Sequence, residues 1–282
     1  MQRTWRMQNN SSYETSILLN FLQEDIGAGD LSVVSLPNPI VSGYFIAKSN
    51  GILAGQFLPS TIYQLLSDDV EYTPLLTDGT RLNSGDVFGK VSGPAHTLLT
   101  SERLILNLMQ RMSGIATATS HAIDTLNDSS IGILDTRKTA PGLRYFDKIA
   151  VHTGGGINHR MGLYDSVMIK DNHWKLINDL PTTVRQIRTE IGPTKTIEVE
   201  VETLAELQLA VESRVDIIMF DNQTPATVSE WKQSVPDSIK IEVSGGITLD
   251  NLATYAHCGA NFISLGYLTN HVIPLDLSFE LD

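Results

Sequence analysis

From residue 130 to residue 265 the chain repeats one pattern, in which short apolar runs end in polar residues and helical segments follow several of them. Alternating strands and helices build a parallel sheet with helices outside, and the spacing favours a closed or nearly closed barrel. The predicted strands are 131–135, 166–170, 196–201, 216–220, 239–243 and 261–265. The helices predicted between them are 181–191, 204–213, 225–234 and 249–257. Because a complete barrel needs more strands than these, we predict an incomplete α/β barrel with parallel strands.

The first part of the chain has a different pattern. Residues 14–25 place apolar side chains on one helical face, and the glycines of 27–30 end that helix. Runs at 43–48, 70–76 and 87–92 are separated by turn sequences and predict an antiparallel sheet. A long amphipathic helix is predicted at 98–115 and would join this region to the barrel.

The two patterns together predict a two-domain protein of the α/β class. Residues 1–115 are predicted to form an N-terminal α+β domain with a sandwich-like arrangement, and residues 116–269 to form the barrel. The C-terminal segment 270–282 is expected to return to the first domain. A chain of 282 residues can bury a sizeable core in this arrangement.

Composition limits the partners that such a chain can have. Its formal net charge of −12 argues against nucleic acid or an anionic membrane, because both require a basic face. The single cysteine, Cys258, excludes a disulfide framework and a CxxC zinc or redox site. Residues 1–12 contain Arg3 and Arg6 without an apolar run behind them, and no run is long enough to span a bilayer. We therefore expect a cytoplasmic protein without a signal peptide.

On this acidic chain, five cationic side chains lie close together in sequence. They are Arg137, Lys138, His159, Arg160 and Lys170. Arginine pairs with carboxylate or phosphate through two parallel hydrogen bonds, and lysine acts as a compact charge. Most arginine and lysine pairs are solvated surface groups, but Lys170 ends an apolar run, where an unpaired ammonium would be costly. The cluster therefore predicts a site for a ligand with several negative charges.

Carboxylates also mark the ends of the predicted barrel strands. Residues 198–202 alternate strictly between glutamate and valine, so the carboxylates share one face of the strand. Glu200 near the end of this strand, with Asp221 after the next one, predicts a site for Mg²⁺ or ribose hydroxyls. The alternative is an internal salt bridge from Glu200 to Lys138 or Lys170. All these positions meet at the carboxyl edge of a parallel barrel.

Two groups of glycines complete the pattern. Ser244, Gly245 and Gly246 lie between a strand and a helix, and Gly266 ends the next strand, as in the phosphate sites of barrels; a simple packing turn is the alternative. The glycines of 154–156 are interpreted as a flexible loop that carries His159 and Arg160 over a ligand. Three further residues are interpreted as structural: His173 as a loop histidine, with a ligand or base as the alternative, Trp174 as a packing residue and Arg103 as an exposed helix cation.

Long ordered motifs resemble the quinolinate phosphoribosyltransferase family, also called nicotinate-nucleotide pyrophosphorylase (carboxylating). The motifs are DTRKTAPG at 135–142, GGGINHRMG at 154–162, SVMIKDNH at 166–173, EVEVE at 198–202, DIIMFDN at 216–222 and EVSGGIT at 242–248. The likeness extends from residue 24 to the end of the chain. It implies transfer of a phosphoribosyl group from phosphoribosyl pyrophosphate to quinolinate with Mg²⁺, giving nicotinate mononucleotide, pyrophosphate and CO₂ in NAD biosynthesis.

The resemblance also implies roles for individual residues. The residues that would hold the quinolinate carboxylates are Arg137, His159, Arg160 and Lys170. The residues implied as catalytic are Lys138, which reaches toward the donor, and Glu200 and Asp221, which hold the ribose hydroxyls and the metal. The residues implied for the 5′-phosphate are Ser244, Gly245, Gly246 and Gly266. The family forms homodimers or larger homo-oligomers, and Arg103 resembles an arginine that enters the site of a neighbouring subunit.

The sequence departs from the usual family pattern at Ile157, Phe220 and Tyr267, the last of which lies beside the predicted phosphate site. One alternative is a homologous phosphoribosyltransferase that acts on nicotinate, or the related protein of molybdenum transport systems. The retained motif at 170–173 favours a ligand with two carboxylates. A non-catalytic binding module is a further alternative, but it would be expected to lose Glu200, Asp221 or the glycines, and all of them are present.

Overall fold

A computed structural model describes residues 11–282, with side chains from residue 13 onward. The interpretation of residues 1–12 as lacking a signal peptide lies outside the described side chains. The described chain forms two compact units, one of which runs to Thr117 and includes Ile273–Asp282, while the other is Ala118–Val272. Among the helices of residues 11–282, none combines the length and the apolar character needed to cross a membrane.

The first unit is built on a four-stranded antiparallel sheet with the order β12-β1-β5-β3. Its strands are β1 (Ile40–Ala47), β3 (Glu71–Pro74), β5 (Val87–Pro94) and the last strand of the chain, β12 (Leu277–Leu281). A separate antiparallel pair is formed by β2 (Gly51–Ile52) and β4 (Arg81–Leu82). The helices are α1 (Ser11–Ile26), α2 (Phe57–Leu66) and α3 (Ala95–Leu126), the last of which continues into the second unit.

Aromatic side chains fill the core behind this sheet. Phe45 on β1 and Phe88 on β5 are fully buried, with ring centroids 5.9 Å apart. Phe279 brings β12 against the same core, since its ring lies 5.0 Å from that of Phe45. The antiparallel sheet and α1 were predicted from the sequence and are confirmed, whereas β12 was not predicted as a strand. The predicted helix at 98–115 is longer in both directions, because buried Ala122 and Leu126 extend its apolar face.

The second unit contains six parallel strands in the order β6-β11-β10-β9-β8-β7. They are β6 (Gly132–Leu134), β7 (Val167–Ile169), β8 (Ile197–Val201), β9 (Ile217–Asp221), β10 (Lys240–Ser244) and β11 (Phe262–Ser264). The helices are α4 (Arg144–Thr153), α5 (Asp171–Trp174), α6 (Leu180–Ile191), α7 (Leu204–Glu212), α8 (Pro225–Lys232), α9 (Leu249–Leu252) with a 3₁₀ turn at Ala253–Tyr255, and α10 (Tyr267–Asn270). All six predicted strands are confirmed, while α4 was not predicted.

The parallel sheet is open between β6 and β7, which are its two edge strands although they follow each other in the chain. Ile157 pairs with β6, donating its N–H to Ile133 O at 2.8 Å and accepting from Asp135 N at 3.2 Å. Arg160 Nη1 donates to Ser166 O at 2.8 Å, directly before β7. The segment 157–160 therefore lies between the two edges, which gives the incomplete barrel that the sequence predicted.

Candidate active site

Polar groups converge at the carboxyl ends of the parallel strands. Asp221 ends β9 and lies in register with Ser244, which ends β10. Glu200 is the second-last residue of β8, and Lys170 directly follows β7. The strand register therefore brings these four residues to one edge of the sheet, as the alternation of strands and helices predicted.

Lys170 and Glu200 form an ion pair at this edge, between Lys170 Nζ and Glu200 Oε2. The Glu200 side chain is only 10% exposed, whereas that of Lys170 is 41% exposed. Helix α5 fixes both backbones, since Lys170 N–H donates to His173 Nδ1 at 2.9 Å and Trp174 Nε1 donates to Glu200 O at 2.8 Å. His173 and Trp174 are thus part of the framework of the site, and the sequence interpretation of Trp174 as a mere packing residue is wrong.

Asp221 is half-buried next to this pair. Burial raises the pKa of Asp221, the negative charge of Glu200 raises it further, and the charges of Lys170 and Lys138 act in the opposite direction. A cation that bound both carboxylates would relieve their mutual repulsion, and Mg²⁺ prefers carboxylate oxygens together with phosphate and water. The donor set of Glu200 and Asp221 therefore fits Mg²⁺.

Lys138 lies against Gly266, two residues after the end of β11. A Cβ atom added to Gly266 would lie 3.0 Å from Lys138 Cδ, so a larger residue there would require the lysine side chain to shift. Thr269 in α10 donates its hydroxyl to Lys138 O at 2.8 Å and holds the lysine backbone. Two of the predicted site residues, Lys138 and Gly266, are therefore in contact.

The turn after β10 has a backbone conformation that requires its glycines. Gly245 and Gly246 have φ angles of 81° and 64°, in the left-handed region that favours glycine. Thr248 N–H donates to Asn251 Oδ1 at 2.8 Å, and Asn251 Nδ2 donates to Gly246 O at 2.9 Å. These side-chain bonds hold the turn in place at the carboxyl edge.

Arg137 and Arg160 are neighbouring cations in partly buried positions. The pKa of Arg160 is lowered by burial and next by the positive charge of Arg137. Arg137 Nε is buried and has no hydrogen-bond partner among residues 11–282. An unpaired buried donor beside a second guanidinium is costly unless an anion binds there. This geometry fits a carboxylate ligand.

His159 has a different environment from the other predicted cations. Its Nε2 lies 3.1 Å from Glu198 Oε2 and 3.4 Å from Glu242 Oε2, inside the sheet. Burial lowers the pKa of His159, but the hydrogen bonds and charges of the two glutamates outweigh it and raise the pKa to about 10. The structure thus places the His159 ring against two carboxylates of the protein itself.

The cluster of His159, Glu198 and Glu242 has the composition of a metal site. Nδ1 of His159, however, lies 2.7 Å from the Arg160 amide nitrogen and accepts its hydrogen bond when the ring is neutral, so that Nε2 then carries the proton. An imidazolium would turn a second proton toward that amide, and a neutral ring would keep its proton on Nε2, between the glutamates. In both states Nε2 has no lone pair for a metal, so we assign this cluster a structural role.

A buried network that the sequence did not predict holds the segment carrying His159 and Arg160. Lys148 in α4 pairs with Asp135 at the end of β6, and it donates to His159 O at 2.9 Å. Asp135 also accepts from His159 N–H at 2.8 Å and from Asn158 Nδ2 at 2.7 Å. The segment that the sequence analysis interpreted as a flexible loop is therefore anchored by hydrogen bonds at Asn158 and His159. The signal was available in part, because the charged residues Asp147 and Lys148 lie between apolar residues of α4.

A cavity of about 310 Å³ lies inside the sheet and is lined by residues from all around it. His159, Glu198 and Glu242 line it, with Asp165 and Ser166 near the amino ends of the strands. The residues predicted for the ribose, metal and phosphate do not line this cavity. His159 and Arg160 thus share this cavity, whereas Lys170, Glu200 and Asp221 do not line it.

The remaining predicted residues and departures have simple positions. Arg103 is exposed on α3 in the first unit. Phe220 is buried in β9 and packs edge-on against Trp231, with ring centroids 5.4 Å apart. Ile157 forms the bridge to β6. Tyr267 begins α10, where burial raises its pKa to about 12 and its hydroxyl has no partner among residues 11–282.

Comparison with known proteins gives consistent matches along the chain. Residues 115–280 match the model of the quinolinate phosphoribosyl transferase C-terminal domain, and residues 30–113 match that of the N-terminal domain. A Bacillus subtilis (strain 168) protein named probable nicotinate-nucleotide pyrophosphorylase (carboxylating) is 44% identical over 266 residues, covering 94% of this chain and 92% of that protein.

Solved structures agree with these matches. The crystal structure of NadC from Streptococcus pyogenes has a TM-score of 0.91 at 34% identity, covering 95% of this chain and 96% of that one. The nicotinate-nucleotide pyrophosphorylase of Francisella tularensis has a TM-score of 0.91 at 32% identity, covering 96% and 97%. The chain described here therefore belongs to the quinolinate phosphoribosyl transferase family.

Proposed function

We propose that this protein transfers the phosphoribosyl group of phosphoribosyl pyrophosphate to quinolinate and removes one carboxyl group, giving nicotinate mononucleotide, pyrophosphate and CO₂. The observation that supports this reaction best is the unpaired, buried Nε of Arg137 beside Arg160. Two adjacent guanidiniums suit a planar ligand with two carboxylates, because each can form a bidentate pair. Lys170 supplies a third cation at the carboxyl edge.

The same geometry supports a dissociative displacement at the ribose. The pyridine nitrogen attacks the anomeric carbon while the bond to pyrophosphate breaks, and the carbon gains positive charge on the way. Glu200 and Asp221 stabilise this charge and hold the ribose hydroxyls, while Lys138 neutralises the departing pyrophosphate. Loss of CO₂ then leaves the electron pair of the broken bond on the ring carbon next to the ribosylated, cationic nitrogen, which stabilises it, and that carbon takes a proton from water. In this proposal no residue of the chain forms a covalent bond to the substrate.

Mg²⁺ is part of the proposal, with Glu200 and Asp221 as its protein ligands. When bound, it would neutralise negative charge on the pyrophosphate of the donor. Lys170 forms an ion pair with Glu200, and a bound dicarboxylate would compete for this lysine. The Ser244–Gly246 turn and Gly266 would hold the 5′-phosphate through their backbone N–H groups. His159 would contribute by fixing the backbone of Arg160 through its Nδ1.

We further propose that the protein acts as a homodimer or larger homo-oligomer in the cytoplasm. The exposed position of Arg103 on α3 allows it to enter the site of a neighbouring subunit. The single cysteine, Cys258, is buried and free, so the chain has no need of an oxidising compartment.

The reaction is tested by incubating the protein with phosphoribosyl pyrophosphate and Mg²⁺ and adding quinolinate or nicotinate. We expect CO₂ and nicotinate mononucleotide from quinolinate, and little product from nicotinate, because a single carboxylate leaves one of the arginines unpaired. Equal or faster turnover of nicotinate would support the alternative of a nicotinate enzyme. Binding of either pyridine without turnover would support a non-catalytic module.

A further inference from the structure

Asn222, the residue directly after β9, has a left-handed backbone conformation. Its φ angle is 54°, in the left-handed region where Cβ crowds the backbone. In the part of the chain that the structure describes, the other non-glycine residues with this conformation are Asn127, Arg214 and His257. Contacts elsewhere must hold such a residue in place, and residues of this kind cluster at functional sites.

Hydrogen bonds on both sides hold Asn222. Its Nδ2 donates to Asp221 Oδ2 at 2.6 Å, and its backbone N–H donates to Ser244 O at 2.9 Å. The next residue continues the connection, since Gln223 Nε2 donates to Asp221 O at 2.8 Å and to Glu202 O at 3.2 Å. The chain after β9 is thus fixed to the ends of both β8 and β10.

The side chain of Asn222 also lies directly against Gly245. A Cβ atom at Gly245 would be 2.3 Å from Asn222 Oδ1 and 2.8 Å from Asn222 N, distances that real contacts do not show. Gly245 is therefore required by its neighbour as well as by its own backbone angle. The amide of Asn222 donates to Asp221 with its nitrogen, and its oxygen lies at the Ser244–Gly246 turn.

We propose that Asn222 is a positioning residue for the phosphoribosyl donor, which fixes the Asp221 carboxylate relative to the Ser244–Gly246 turn. This inference rests on the proposed function, in which Asp221 holds the ribose hydroxyls and the turn holds the 5′-phosphate. One ligand would then span both groups, and a fixed spacing between them reduces the ordering cost of binding it. Asn222 acts through Asp221 and Gly245 and does not itself contact the reacting atoms.

The test uses two variants and one matched control. Asn222→Gly removes the side-chain amide, and its backbone angle suits glycine. Asn222→Asp keeps the shape but replaces the N–H donor by a carboxylate oxygen next to Asp221. Asn127→Gly is the control, because it makes the same substitution at a φ angle of 49° on an exposed residue after α3. Donor binding is measured by calorimetry with Mg²⁺ and without quinolinate, followed by the KM of each substrate.

We expect the Kd and KM for the donor to rise by about tenfold in Asn222→Gly and further in Asn222→Asp, which adds like-charge repulsion. The KM for quinolinate should stay within about twofold of wild type. The Asn127→Gly control should bind the donor normally. A purely structural role of Asn222 would instead raise both KM values together.

The outcomes separate this inference from the proposed function. Wild-type protein that fails to bind the donor would overturn the proposed function. Normal wild-type binding, with donor Kd and KM unchanged in Asn222→Gly, would overturn the positioning role alone. A parallel rise in the KM of both substrates would overturn it as well.

Discussion

At the scale of single residues, Arg137 is held at a cost to the folded protein. Its Nε is buried without a hydrogen-bond partner among residues 11–282, and the charge of Arg160 lies nearby. Unsatisfied buried donors cost roughly 1–3 kcal/mol, so a residue of this kind reduces stability for the sake of ligand binding. A bound carboxylate would recover that cost.

We therefore expect Arg137→Ala to weaken quinolinate binding without lowering the stability of the fold. The free energy of unfolding should stay within about 1 kcal/mol of wild type or increase, because the variant loses an unpaired donor. The KM for quinolinate should rise by about a hundredfold, as expected for loss of a charge-assisted pair. Urea unfolding and initial rates measure the two effects.

Arg144→Ala is the matched control for this change. Arg144 donates from Nε to Thr139 Oγ1 at 3.2 Å and from Nη1 to Met161 O at 3.3 Å. We expect this variant to lose stability and to keep its quinolinate KM. If Arg137→Ala lost as much stability as Arg144→Ala and kept its KM, the assignment of Arg137 to the substrate would be wrong.

At the scale of elements, α4 is joined to β6 by the buried pair of Lys148 and Asp135. Their side chains are 2% and 0% exposed. Removing one partner of a buried ion pair leaves the other charge uncompensated, which costs about 3–5 kcal/mol. We expect this loss in urea unfolding of Lys148→Met, and a partial recovery in the double variant Asp135→Asn with Lys148→Met. A double variant no more stable than Lys148→Met would count against the pair.

The loop after α3 is joined to the 3₁₀ turn by Asp128, which gives a pH-dependent contribution to stability. Ser130 Oγ donates to Asp128 Oδ1 at 2.6 Å, and His257 N–H donates to Asp128 Oδ2 at 2.8 Å. The hydroxyl of Ser130 is the largest of the causes that lower the pKa of Asp128 from 3.8 to about 2. A lowered pKa stabilises the fold above the unfolded value and loses this effect as the pH falls toward the folded value.

We expect Asp128→Asn to be less stable than wild type at neutral pH and to approach wild-type stability as the pH falls from 3.8 to about 2. Urea unfolding at a series of pH values measures the difference between the two proteins. A difference that stays constant over this range would show that the carboxylate charge contributes nothing. Asp237→Asn is the control, because Asp237 has a fully exposed side chain.

The elements that the sequence predicted differ physically from those that it missed. Strand β9 is an almost continuous apolar run inside the parallel sheet, and β8 alternates apolar residues with glutamates, so the sequence shows both strands clearly. Helix α4 was missed because Asp147 and Lys148 are charged and yet buried, which interrupts the apolar pattern. The sequence of α4 indicates a buried helix only when Asp135 is known to pair with Lys148.

At the scale of the whole molecule, the positions of the candidate site residues were predictable as far as they depend on strand ends. Lys170, Glu200 and Asp221 were found because parallel strands bring their carboxyl ends to one edge. The partners of His159 were not predicted. Glu198 and Glu242 are buried inside the sheet, and the sequence does not show that the imidazole of His159 reaches them. Side-chain contacts across the sheet depend on register, which the pattern of apolar residues leaves open.

The proposed subunit organisation leads to a prediction for the whole molecule. If Arg103 enters the site of the neighbouring subunit, Arg103→Ala and Lys170→Ala damage every site of their own homodimers. A mixed dimer would combine the intact Lys170 of one subunit with the intact Arg103 of the other in a single site. We expect each variant alone to be nearly inactive, and an equal mixture that exchanges subunits to recover up to about a quarter of wild-type activity.

Differently tagged subunits, purified through both tags in turn, allow the mixed dimer to be assayed directly. Arg103→Ala mixed with Arg137→Ala serves as a second pair, since Arg137 lies in the same unit as Lys170 and should complement in the same way. Lys170→Ala mixed with Arg137→Ala is the negative control, because both changes affect the barrel of their own subunit and no native site can form. Purified mixed dimers of Arg103→Ala and Lys170→Ala without activity would show that Arg103 serves its own subunit or none. Recovery in the negative control would show that the barrel sites are themselves shared.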